Sequence, residues 1–172
     1  MFTIIKLVQS LFRTLHSEGT PGQVAAGMML GAGIGLTPLL SAHNLVLFVA
    51  LVLLNVSFGG GMLGIALFTP LGFLLDPLFD RIGLTLLSTP GLRGLWTDWY
   101  NVPLVPYTNF NNSVTLGSFV LWLVLTVPLY LLGKRAIMHY RATYGARVLN
   151  SRFMKALKAS KVYNVYSWFV PQ

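Results

Sequence analysis

The chain has 172 residues, a formal net charge of +8 and no cysteine, which excludes disulfide frameworks, thiolate metal sites and cysteine nucleophiles. Hydrophobic residues make up 55% and charged residues 9%, about a third of the charged share of a soluble domain, so a single domain of this length has too little polar surface to stay dispersed in water. Residues 1–133 hold four basic and four acidic side chains, whereas the last stretch holds Lys134, Arg135, Arg141, Arg147, Arg152, Lys155, Lys158 and Lys161 and no acid. That asymmetry speaks for membrane topology ahead of nucleic acid.

In chain order, residues 1–18 read first as an amphipathic helix lying in a membrane interface. Ile4, Leu7, Val8, Leu11, Phe12 and Leu15 share one face, and Lys6, Gln9, Arg13 and His16 lie largely away from it. A helix packed on the rest of the protein has the same pattern. A signal peptide is disfavoured, because Lys6 and Arg13 interrupt the apolar run and no small-x-small site follows.

Residues 21–88 are strongly apolar but punctuated by Thr20-Pro21, Thr37-Pro38, Thr69-Pro70, Asp76-Pro77 and, at the end, Thr89-Pro90. A Thr or Asp oxygen caps a helix start, and proline suits the first helical position while ending the helix before it. Gln23 completes a capping box with Thr20. The pattern predicts short helices in series at 21–36, 38–57, 60–68 and 70–88, with Asp76-Pro77 restarting or kinking the last. Gly27, Gly31 and Gly35 fall on one face, a candidate seam for close helix packing in lipid.

Residues 89–113 form the only long loop, and Trp96, Trp99, Tyr100, Tyr107 and Phe110 suit the headgroup level of the far, periplasmic side. Residues 114–132, VTLGSFVLWLVLTVPLYLL, are the clearest span, reaching about 28 Å at helical rise. Pro128 bends such a helix without preventing insertion, and Lys134-Arg135 stop it at 133. The tail, 134–172, reads as a basic helix on anionic cytoplasmic lipid, with Lys134, Arg135, Arg141, Arg147, Arg152, Lys155 and Lys158 as its contacts.

Basic residues at both ends place both termini in the cytoplasm, so the number of full crossings is even. Residues 21–88 then supply either three spans or one span plus a re-entrant hairpin. The fold class is all-α and polytopic, a single membrane domain of Pro/Gly-punctuated helices.

Residues 21–83, from PGQVAAGMMLGAGIGLTP to DPLFDRIG, resemble a bacterial family of small multi-pass inner-membrane proteins named only as a domain of unknown function. The likeness rests on the Pro21 helix start, GAGIGLTP, Asn55 after an apolar helix, a proline dipeptide opening the next helix and the Gly83 ending. Thr69 before the proline, and LLSAHN where relatives have a Gly-Gln stretch, mark a divergent branch. The resemblance implies a larger envelope protein encoded nearby as partner, of the periplasm-spanning, lipid-handling kind. It brings no catalytic residues.

Enzyme motifs are nearly absent. His16, His43 and His139 lack metal-ligand spacing, and no nucleophile elbow, phosphate loop or zinc-protease motif occurs. No cofactor is expected. Asp76 and Asp80 fit helix capping and surface pairing better than an ion path.

GIGLTPLL and GIALFTPLG resemble one another, and paired interruptions point to a site built from half-helices. Helices beginning after Thr37 and Thr69 would aim free N–H groups at one spot, a candidate anion or lipid-headgroup site with Thr37, His43, Asn44, Asn55 and Thr69. A plain turn between short helices, with His43 and Asn44 at the water boundary, is the competing reading. The function expected is a non-enzymatic inner-membrane subunit that anchors or assists a larger envelope partner in phospholipid transport. The alternative is a small transporter or channel, its polar path lined by Thr37, His43, Asn44, Asn55, Thr69 and Asp76. Membrane phospholipids are the expected partners, with no nucleic acid.

Overall fold

The computed structural model describes residues 19–39 and 41–143. The expected interfacial helix at 1–18 and the tail beyond 143, with Arg147, Arg152, Lys155 and Lys158, lie outside the described residues. Among those described there are five α-helices and no strand: α1 (Pro21–Leu36), α2 (Ala42–Leu53), α3 (Phe58–Ser88), α4 (Arg93–Tyr100) and α5 (Ser113–Thr143). Two 3₁₀ turns, Pro90–Leu92 and Val105–Thr108, flank α4.

Helix α1 starts where local chemistry dictates. The Thr20 hydroxyl accepts from the Gln23 amide N–H, the Gln23 side chain returns the bond to the Thr20 N–H, and Pro21 fills the first helical position. The helix then runs through the middle of the bundle. Val24, Ala25 and Ala32 are fully buried, and neighbours surround it on three sides: α2, α3 and α5.

Glycine makes those approaches possible. A Cβ on Gly27 would overlap the Ser57 carbonyl, one on Gly31 the Gly61 carbonyl, and one on Gly35 would sit 3.0 Å from the Ile65 oxygen. These contacts climb both helices together, so α1 and α3 are parallel and touch backbone to backbone. Gly83 and Gly117 do the same for α3 and α5 in the antiparallel sense, against Ser113 and Phe79. Lower down, the Trp122 indole donates to the Met29 carbonyl at 2.8 Å, and Ile137 packs on Val24 and Ala25.

Helix α2 returns alongside α1. The hairpin closes where the Gln23 side-chain amide donates to Asn55 Oδ1 at 2.8 Å and the Ser57 N–H donates to the Gln23 carbonyl at 3.0 Å. Residues 21–57 therefore begin and end at the same end of the bundle.

The expected break at Thr69-Pro70 and the expected restart at Asp76-Pro77 do not occur: α3 runs unbroken for 31 residues through both prolines. The Thr69 hydroxyl donates to the Ile65 carbonyl at 2.7 Å, so the side chain back-bonds within the helix and does not cap a new one. In an apolar setting one lost bond costs less than the eight unpaired groups of two new helix ends. The expected helix at 38–57 also differs, since no helix forms until Ala42. Helix α5 continues ten residues past the expected stop at 133, to Thr143. Lys134 and Arg135 end the apolar run, but Lys, Arg, Ala and Met favour helix. The loop at 89–113 carries α4 and clusters Trp96, Trp99 and Phe110, with ring centroids 5.6 to 6.1 Å apart.

Helices α3 and α5 are long and apolar enough to cross a membrane, while α2 is too short. Fewer than a third of the residues in each apolar window are buried. Phe73, Leu74, Val124 and Val127 on these helices, and Leu53 on α2, are each at least 65% exposed.

Candidate functional site

Among the described residues cavities open where the helices part, and most of the predicted site residues divide among three of them. The first lies beside the turn between α1 and α2. The buried Thr37 hydroxyl sits 2.8 Å from the Gly33 carbonyl and 2.7 Å from Asn44 Oδ1, sharing one proton between two acceptors. The Asn44 amide donates to the Pro38 carbonyl at 2.9 Å, and the Ser41 hydroxyl donates to the same oxygen. Asn44 thus reads both faces of the Thr37-Pro38 turn and stitches it shut.

Thr69 reaches the same neighbourhood from α3. A cavity of about 460 Å³ is bordered by Thr37, Pro38, Thr69, Gly72, Phe73 and Asp76. The two Thr-Pro pairs are therefore neighbours, but two helix N-termini do not converge on them. Thr69 lies inside a continuous helix, and the turn after Thr37 intervenes before Ala42. The acidic Asp76 on the wall further disfavours an anion there.

Asn55 stands at the opposite end, exposed and bonded to Gln23. It borders a second cavity, about 480 Å³, between the start of α1 and the last turns of α5. Tyr130, Lys134 and Met138 form its other wall, spaced four residues apart so that they stack on one face of α5. That spacing was a usable sequence signal. Lys134 is half-buried, Arg135 is exposed, and Arg141 donates to the Gly19 carbonyl at 2.9 Å, tying the end of α5 to the approach to α1.

His43 separates from both groups. It sits at the outer end of α2 beneath the aromatic loop, its ring tilted against Phe119 with centroids 5.3 Å apart. Nε2 is buried and has no hydrogen-bond partner, an uncompensated loss of about 1–3 kcal/mol for a polar atom. The ring forms part of the wall of a third cavity of about 410 Å³, otherwise mostly apolar, with Trp99, Val102, Val105, Phe110 and Phe119. Nothing local in the sequence signals this pocket, because its walls come from three separate segments. Gly27, Gly31 and Gly35 line none of the three as a group; they face α3.

Among the described residues no cluster of three or more His, Asp or Glu side chains is arranged to hold a metal ion. The chemistry on offer is hydrogen bonding and charge at cavities that open between apolar helices.

A protein of Treponema pallidum (strain Nichols), described as uncharacterised, is 28% identical over 141 residues, covering 80% of this chain and 85% of that protein. No solved structure gives a significant match. Residues 6–144 match the model of DUF2062, described as an uncharacterised protein conserved in bacteria, and the chain belongs to that family.

Proposed function

We propose that the chain is an integral protein of the bacterial inner membrane, a non-enzymatic subunit that anchors or assists a larger envelope partner in phospholipid transport. In this reading α3 and α5 cross the bilayer, the α1–α2 hairpin enters and returns to the side it came from, and both termini are cytoplasmic. The observation that carries it is the apolar belt turned outward on α2, α3 and α5. A soluble bundle would bury these faces, and contiguous exposed apolar surface of this extent demands lipid or protein as its neighbour.

Two further features support the subunit reading over a transporter. Thr37, Asn44, Asn55 and Thr69, which a polar path would use, are instead bonded to one another or to the chain. The half-buried Lys134 beside Tyr130 offers a cation and a hydroxyl at the cytoplasmic headgroup level, suited to a lipid phosphate.

Purification of the full chain from membranes in mild detergent tests this. It should co-elute with a larger envelope protein and conduct little solute when reconstituted alone. Robust flux from the isolated chain would replace the subunit with a transporter. A chain that stayed monodisperse in plain buffer would sink the membrane reading altogether.

A further inference from the structure

Asp76 has no part in the anchoring, in the turn after α1 or at the phosphate site. Its place before Pro77 suits it to capping a helix or to pairing on the surface, and it does neither. Helix α3 runs straight through Asp76-Pro77, and among the described residues nothing donates to its carboxylate or pairs with it. Asp80, one turn further on, accepts from the Ser113 hydroxyl. Asp76 is half-buried on a helix whose nearby Phe73 and Leu74 are 73% and 75% exposed. A lone charge on a spanning helix calls for a partner.

The cavity of about 460 Å³ that Asp76 borders does not supply one. No Lys or Arg stands on its wall, and the hydroxyl protons of Thr37 and Thr69 are already committed, to Gly33 or Asn44 and to Ile65. A hard divalent cation takes roughly six to eight oxygens, and Asp76 is the one carboxylate there. A quaternary ammonium is held by a cage of aromatic rings, where this wall has Phe73 alone. The chemistry wanted is a monovalent cation that carries N–H donors. Depth narrows it further. Val114 borders the same cavity, and Val114 and Lys134 stand about 30 Å apart along α5, the thickness of a hydrocarbon core. With Lys134 among the cytoplasmic headgroups, the Asp76 cavity opens at the outer ones.

We propose that Asp76 receives the primary ammonium of a zwitterionic phospholipid headgroup from the outer leaflet, with the acyl chains lying against the exposed Leu39 and Phe73. The lipid phosphate, an ethylene bridge away, stays outside the cavity in the headgroup layer. The proposal rests on the chain's residence in lipid and needs no partner protein.

The test is saturable retention of radiolabelled dioleoylphosphatidylethanolamine by the delipidated full chain in mild detergent. Dioleoylphosphatidylcholine, which keeps the charge and has no N–H, is the comparison. The ethanolamine lipid should be held about tenfold more tightly, the worth of one hydrogen bond to a charged group. Asp76→Asn keeps the shape, removes the charge and should lower that affinity by about tenfold. Asp98→Asn removes the same charge from an exposed position in the aromatic loop and should change nothing. In the unaltered chain the ethanolamine lipid should also shield Asp76 from dicyclohexylcarbodiimide, mapped by mass spectrometry, and the choline lipid should not.

Equal retention of the two lipids, equal affinities in Asp76→Asn and Asp98→Asn, or an unshielded Asp76 would overturn the proposal. So would a carbodiimide cross-link in native membranes from Asp76 to a lysine of another protein, which would seat a partner's side chain there instead. The shielding measurement needs no substitution, so it decides if Asp76→Asn fails to fold. Failure of the lipid reading itself looks different, as a chain that needs no detergent.

Discussion

Thr37-Pro38 and Thr69-Pro70 are the same dipeptide in similar surroundings, lie next to one another in the fold, and have opposite outcomes. In both, the threonine hydroxyl reaches the carbonyl four residues back, at 2.8 Å for Thr37 and 2.7 Å for Thr69. After Thr37 the chain turns; after Thr69 the helix continues for another nineteen residues. The dipeptide therefore permits a break without requiring one. The deciding groups lie downstream: Asn44 and Ser41 bind the Pro38 carbonyl, and Asn44 also engages Thr37. Nothing after Pro70 offers its carbonyl such partners, since Leu71, Phe73 and Leu74 are apolar and exposed.

If Asn44 makes the difference, removing its amide should be the most damaging change at either pair. Asn44→Leu keeps the volume but strips partners from Thr37 and from the Pro38 carbonyl in a buried setting. Stability should fall by about 1–3 kcal/mol, measured by reversible unfolding in mixed micelles. A loss under about 0.5 kcal/mol would mean that the turn is held by packing alone.

The comparison also marks what the sequence could disclose. The start of α1 was legible because Thr20, Pro21 and Gln23 settle it among themselves. The fate of Thr69-Pro70 was not, because it depends on medium and on neighbours: Gly35 of α1 lies against Thr69, and Gly72 lies against the Gly35 carbonyl. The four-residue spacing of Gly27, Gly31 and Gly35 was visible, but its counterpart, running from Ser57 at the cap of α3 through Gly61 to Ile65, keeps the spacing without keeping the residue type. Candidate-site residues were recognised by type and not by grouping. Thr37 and Asn44, seven residues apart, come together, whereas Asn55 travels to the other end with Gln23, and His43 joins side chains more than fifty residues away.

A matched pair of substitutions sharpens the contrast. Thr37→Val removes the hydroxyl facing Asn44 and should cost about 0.5–1.5 kcal/mol. Thr69→Val removes only a back-bond to Ile65, of a type that contributes little to a helix, and should stay within about 0.5 kcal/mol of the parent. The same micelle unfolding assay measures both. Equal losses would show that the two pairs do the same job and that Asn44 is incidental.

The smallest effect expected is also the most discriminating about α3. Pro70 withholds an N–H from the Ala66 carbonyl, and the exposed ring faces outward. Pro70→Ala restores that donor within a helix that already passes through the position. It should therefore be neutral or stabilising by up to about 1 kcal/mol, the net worth of one backbone hydrogen bond. The corresponding change at Pro38 offers no such gain, because the chain has left the helix there and Asn44 holds the turn. If Pro70→Ala destabilised the protein or altered its activity, the residue would be maintaining a bend beside the cavity shared with Thr37 and Asp76. The pair would then be functionally matched after all, with the proline of α3 shaping the site that the turn after α1 closes.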